Sequence, residues 1–326
     1  MPRRPGAGVV AGTLPGSLQR RPLRYHARVQ STRAVASWIE IASWSFALLG
    51  LLLPLAFGSP MFTPYRQAVA GWAYGASSIP STDETLLGLM LGITGGSVAG
   101  KWIVHAMLAR GPLAEGQAWA RDLTLRGLAA WFLVDSAASL WIGAAFNVVM
   151  INLLPLLLVG VPLIARYNSW NNRGQTPISG AARNARLSLI GRLCLWTSVL
   201  GAATGIGIAF GGSTPLFAMW WQGLESAHYG GMPVSESAGR LALLFFGPIG
   251  GCAFAQFVML AGFIRHDGQT RRAAWTGATS IAGWCAIDSA YGLLHNGLFN
   301  IVLINVPALL TTLPPWLMLH SRSRPR

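Results

Sequence analysis

Ala129–Ile164 reads AAWFLVDSAASLWIGAAFNVVMINLLPLLLVGVPLI, and Ala282–Leu317 reads AGWCAIDSAYGLLHNGLFNIVLINVPALLTTLPPWL. The two align without a gap at an offset of 153. Trp131, Asp135, Ser136, Ala137, Asn147, Asn152 and Pro162 fall on Trp284, Asp288, Ser289, Ala290, Asn300, Asn305 and Pro315. Seven further matches bring the total to 14 identities over 36 positions, where roughly three would arise by chance, so the chain reads as an internal duplication. Each copy is an apolar run of about 40 residues, twice what one membrane crossing needs, so each must fold as a hairpin. The turns are expected at Gly143–Ala145 and His295–Gly297. Acids and amides inside such runs are costly and therefore mark function by default.

Working outward, the composition places the whole chain in the membrane class. Charged residues make up 10% and hydrophobic residues 52%, and the mean hydropathy is +0.46. A soluble domain carries about 25% charged residues. The net charge of +14 does not indicate nucleic acid, because the arginines lie in the links between apolar runs. Cys194, Cys252 and Cys285 all sit within apolar spans and read as small buried hydrophobes, not a disulfide framework. No cleavable leader is expected, since the first long apolar run begins near Ser37 behind an arginine-rich arm.

Runs long enough to cross about 30 Å of hydrocarbon are expected near 37–57, 86–108, 127–143, 147–165, 188–211, 239–264, 274–294 and 298–319. The fold class is thus all-α, with eight transmembrane helices. They divide into a basic, disordered arm (1–36), a first four-helix repeat (37–166), a linker (167–187), a second repeat (188–319) and a basic tail (320–326). Alternate links and the termini hold 21 arginines, against Arg66 and Arg240 on the other side. That asymmetry places both termini in the cytoplasm of a cell whose inner membrane the chain spans. Four helices per repeat give two same-sense halves related by a pseudo-two-fold axis along the membrane normal. The outer loops 58–85 and 212–238 share Thr-Pro, tryptophan and Tyr-Gly, which suits segments lying in the headgroup layer.

Depth along each helix then locates a polar cluster. Lys101 lies nine residues before Arg110, and Asp135 nine after Arg126, each about 13 Å from the cytoplasmic end. Asn152 is within a few turns of that level. At an offset of 155, Gly92, Gly95 and Gly96 fall on Gly247, Gly250 and Gly251, and Lys101 falls on Gln256. The first half therefore offers Lys101, Asp135 and Asn152, and the second Gln256, Asp288 and Asn305. Lys101 and Asp135 are expected to form a fixed pair. Asp288, with only an amide nearby, is expected to carry the proton, because burial disfavours its charged form. Pro155 and Pro307 follow the asparagines and free the carbonyls of Ile151 and Leu303, which with the amides can orient an ion or solute. The bland alternative is that the cluster only bonds helices together, at about 0.6–2 kcal/mol per bond.

Gly88, Gly92, Gly96 and Gly100, with Gly247 and Gly251 in the copy, form a ridge that lets another backbone approach closely. Its expected partner is the matching ridge or the Asp-bearing helix. Glu225 and His228, three apart in a loop, together with His105 and His295, lack the partners that metal-ligand spacing requires, so no metal and no cofactor are expected. No catalytic constellation or phosphate loop occurs either.

Gly95-Gly96, Trp131, Asp135-Ser136, Asn147 and Asn152, and again Gly250-Gly251, Trp284, Asp288-Ser289, Asn300 and Asn305, resemble the pattern of small bacterial four-helix membrane proteins of unknown function. The resemblance covers the second half of each repeat, implies a fused pair of units that elsewhere dimerise, and brings no activity. The expected function is a small permease or proton- or ion-linked transporter with its site between the halves. Its partners would be the lipid bilayer, a small solute, proton or cation, and a second copy of the chain. The alternative is a membrane scaffold or assembly subunit.

Overall fold

In the computed structural model the described residues are 20–171 and 187–323. They are helical, with no strand among them. The long elements are α1 (Arg20–Leu51), α4 (Glu84–Leu108), α5 (Ala118–Trp141), α6 (Ala145–Ala165), α8 (Leu189–Gly211), α10 (Glu236–His266), α11 (Arg271–Leu294) and α12 (Leu298–Arg322). Shorter helices are α2 (Leu53–Phe57), α3 (Thr63–Tyr74), α7 (Tyr167–Asn171) and α9 (Ala218–His228).

Seven of the long helices are long and apolar enough to cross a membrane; α11 is not among them. It has the length, 24 residues, but Thr276, Ser280 and Asp288 lower its hydropathy, and all three are buried. A helix that turns its polar residues inward can share a bundle without being apolar throughout.

Differences from expectation occur at the ends. Arg20–Ala36, expected within a disordered arm, forms the first turns of α1, and residues 320–322 complete α12. Positions 1–19, most of the 167–187 linker, and 324–326 lie outside the described residues.

The bundle is layered. In α4 and α10, 83% and 78% of the most apolar window is buried, against 22–33% for α1, α6, α8 and α12. The former are therefore the central pair. They pack on each other, α11 packs on α4, α5 packs on α10, and α1 and α8 flank α4 and α10 respectively. Glycines set these contacts. Gly50 of α1 meets the backbone of Gly95, and Gly205 of α8 meets that of Gly250.

Both hairpins turn where expected. Gly143 (φ 79°) and Asn296 (φ 55°) take the left-handed conformation that reverses the chain, which glycine adopts freely and asparagine tolerates. Beyond each turn the helix widens into a π stretch, Val148–Asn152 and Ile301–Asn305. Pro155 and Pro307 lack the N–H that would continue the ladder to Ile151 and Leu303, and a wider turn accommodates the loss. The loops 58–85 and 212–238 form α3 and α9, each after a short 3₁₀ turn (Pro60–Phe62, Pro215–Phe217).

Candidate functional site

The glycine ridges decide which helices carry the site. On α4, Gly88 faces the ring of His295, Gly92 faces Tyr291, Gly96 faces Asp288 and Trp284, and Gly100 faces Gln256 and Trp284. On α10, Gly247 and Gly251 face Asp135, and Gly251 also meets the Trp131 carbonyl. The ridges thus take Asp-bearing helices, as one of the two expectations had it, but crosswise: α4 takes α11 and α10 takes α5. Asp135 and Asp288 consequently lie against opposite members of the central pair.

Each carboxyl is held by an asparagine just past its hairpin turn. Asn147 Nδ2 donates to Asp135 Oδ1 at 3.2 Å and to Ser139 Oγ at 2.9 Å, and Ser139 Oγ donates to Asp135 Oδ1 at 3.3 Å. Tyr65 of α3 donates to Asn147 Oδ1 at 2.8 Å. Around the other acid, Asn300 Nδ2 donates to Asp288 Oδ1 at 2.8 Å and Trp220 of α9 donates to Asn300 Oδ1 at 3.1 Å. Two chains of polar groups therefore run from the short helices α3 and α9 to the buried acids. Sequence reasoning missed this use of Asn147 and Asn300, although both were among the matched identities. It also missed Tyr65 and Trp220, which are 155 apart but differ in type and so give no identity signal.

Asn152 and Asn305, expected to orient solute, donate to Ser136 Oγ at 3.2 Å and Ser289 Oγ at 3.0 Å, while the Oδ1 of each makes no hydrogen bond. Gln256 donates to Ser280 Oγ at 3.4 Å and fills the space at Gly100.

Lys101 is fully buried, as is Asp135, yet the expected pair is not made: no ion pair within 4.0 Å joins them. The ammonium lies over the Trp131 ring, 3.6 Å from its centroid, and over Trp102 at 4.1 Å. A π face attracts a cation without neutralising it, and these two indoles, one from α4 and one from α5, hold the place expected of the carboxylate.

Lys101 and Asp135 nevertheless meet at one cavity of about 320 Å³. Its polar wall is Thr94, Lys101, Trp131, Asp135 and Asn147; its apolar wall comes from α1, α2, α3, α4, α6 and α10, including Phe46, Leu53, Phe57, Leu91, Leu154 and Phe245. Asp288, Asn152, Asn305 and Gln256 do not line it. The cavity belongs mainly to the first half, closed by Phe245, Pro248 and Cys252 of α10, and is not a passage between the two acids.

At the head of α4, Asp83 ties together the segments that carry α3 and α9. Tyr74 donates to its Oδ2 at 2.7 Å and Tyr229 to its Oδ1 at 3.0 Å. Burial, reinforced by the hydrogen bond to Asp83, holds both phenols above the usual tyrosine range.

Comparison with protein-family models, curated protein sequences and solved structures finds no match to this chain.

Proposed function

We propose that this chain is a small permease of the cytoplasmic membrane that moves a solute in exchange for, or together with, a proton at the cavity formed by Lys101, Asp135 and Asn147. One observation carries it: two buried side chains of opposite charge face one cavity without touching. Burying an unpaired charge is expensive and breaks even only where something else repays it. Asp135 Oδ1 already accepts from Asn147 and Ser139, while Oδ2 has no hydrogen-bond partner, so an arriving proton would reside on Oδ2. Lys101 would counter the charge of the deprotonated state.

The role assigned from sequence to Asp288 passes in this proposal to Asp135, because only Asp135 lines the cavity. Eight spans in two same-sense halves, with both termini cytoplasmic, complete the proposal, α11 being the eighth. Support for the repeat comes from contacts that recur 153–155 residues apart. Gly50–Gly95 parallels Gly205–Gly250, Gly96–Asp288 parallels Gly251–Asp135, and the Asn147 bridge parallels that of Asn300. The crossed packing is also what fusion of a dimerising four-helix unit would leave.

Proton uptake into proteoliposomes carrying an entrapped pH dye, under an imposed gradient, tests the proposal. Asp135→Asn should lower the rate at least about tenfold while Asp288→Asn retains most of it. Rates indistinguishable from protein-free vesicles in the unmodified protein would overturn it. The scaffold alternative draws on Asp288, whose chain to Asn300 and Trp220 joins three elements and lines no part of the cavity described; it predicts no flux and a dry Asp135.

A further inference from the structure

Four polar atoms on the walls of the Lys101 cavity make no hydrogen bond of good geometry: Thr94 Oγ1, Lys101 Nζ, Trp131 Nε1 and Asp135 Oδ2, the Trp131 indole and the Asp135 carboxyl being close enough to interact with each other. All four residues are at least nine-tenths buried, with relative exposures of 5%, 0%, 4% and 0%. Buried polar groups are ordinarily satisfied, so a cluster of four around one space describes the polar end of a ligand. The set contains two pure donors, one acceptor and one hydroxyl that can do either. A matching head group must both accept and donate.

The charge balance narrows the class. Lys101 and Asp135 together bring no net charge to the cavity. A phosphate head would place its negative charges beside the Asp135 carboxylate with a single cation to meet them, which is unfavourable. A neutral hydroxyl head fits: its oxygen accepts from Lys101 or Trp131, and its hydrogen goes to Asp135 Oδ2.

The route in is set by the mouth. Trp38 of α1 donates to the Leu158 carbonyl of α6 at 2.7 Å, which ties the two helices toward their cytoplasmic ends. Farther out, both helices contribute lining residues, Leu49 and Gly50 on α1, followed by Leu53 of α2, and Met150 and Leu154 on α6. Met150 and Leu154 are exposed. Leu154 stands nine residues into α6, about 13 Å along it, so the mouth opens at hydrocarbon depth. A volume of about 320 Å³ is near the lower end for ligand sites, about 300–1,000 Å³. It houses a head and the first part of a chain, the remainder lying between α1 and α6.

The geometry points to a membrane-soluble amphiphile with a single neutral hydroxyl head, of the long-chain alcohol or prenol class, that enters this cavity sideways from the bilayer between α1 and α6. This rests on the permease reading for its site and adds the class of substrate.

The test uses the full chain in lipid nanodiscs and a long-chain alcohol bearing a diazirine and an alkyne, with a diazirine phosphatidylglycerol in parallel. After illumination, labelled peptides are mapped by mass spectrometry. The alcohol should label 49–53 and 150–154 saturably, in competition with unlabelled alcohol. Lys101→Met and Asp135→Asn should each weaken it roughly tenfold, as loss of one charge-assisted bond implies. Leu154→Trp, at a position 51% exposed, should block it while leaving the thermal unfolding of the chain unchanged. Labelling spread over the lipid-facing surface and indifferent to Leu154→Trp would overturn the inference, as would a phosphatidylglycerol probe that saturates the site more tightly than the alcohol. Saturable labelling without proton flux would leave the site standing and remove the transport reading; flux with diffuse labelling would do the reverse.

Discussion

Replacing Gly96 by alanine tests the crossed packing on which the site depends. A Cβ built there lies 2.7 Å from the Trp284 carbonyl oxygen and 3.0 Å from both the Asp288 Cβ and its amide nitrogen. Ordinary contact begins at 3.4 Å, so the shortfall is 0.4–0.7 Å by subtraction. Every obstructing atom is backbone or Cβ, and none can move by changing a rotamer. The α4–α11 pair must therefore separate, and forced overpacking of this kind costs about 1–3 kcal/mol. At Gly251 the nearest atoms of α5 are 3.1–3.2 Å away, and the penalty should be about 1 kcal/mol or less. Alanine also gains roughly 1 kcal/mol of helix propensity over glycine. Gly239→Ala, with nothing within 4 Å, carries that gain alone and is the proper reference. Relative to it, Gly96→Ala should lower the folded-to-unfolded ratio about 5- to 150-fold, and Gly251→Ala less. Denaturant unfolding in mixed micelles followed by tryptophan fluorescence measures all three. If Gly96→Ala is as benign as Gly239→Ala, α11 does not lie against α4 and the placement of Asp288 is wrong.

Other outcomes follow from the same geometry. Lys101→Met keeps the stem packed on Trp102 and Trp131 while removing a buried cation with no hydrogen bond; thermal unfolding should be unchanged or raised by about 1 kcal/mol while proton flux falls, and a large loss of stability would make the lysine structural. Asn147→Leu strands the Tyr65 hydroxyl and leaves Asp135 Oδ1 with Ser139 as its one donor and should cost about 1–3 kcal/mol, with Asn300→Leu comparable; two silent substitutions would show that these bridges do not order the bundle. The Asp83 clasp should depend on alkaline pH. Because both phenols keep their protons above the free tyrosine value of about 10, the clasped form binds more protons there than the open one, so clasping holds at full strength below pH 10 and weakens as pH rises beyond it. Spin-label distances between α3 and α9 should lengthen above about pH 10, and Tyr74→Phe with Tyr229→Phe should abolish that pH dependence.

What the amino-acid sequence determined by itself is local. Span length follows from runs of apolar residues. The turns at Gly143 and at His295–Gly297 follow from where those runs exceed one crossing, and the widened helices beyond them from prolines that cannot donate. Depth of a polar residue follows from counting along a helix, which is why Lys101 and Asp135 were placed at one level. Only the tertiary structure decided what each helix faces. Depth fixes one coordinate and leaves rotation about the axis and the choice of neighbour open, and a ridge of glycines fits any helix that presents a matching surface. Packing chose α11 for Gly96 and α5 for Gly251. It set Asp288 apart from the cavity, and it put two indole rings where an ion pair had been expected. Those choices rest on side-chain shape across helices distant in the chain, which no single stretch of sequence carries.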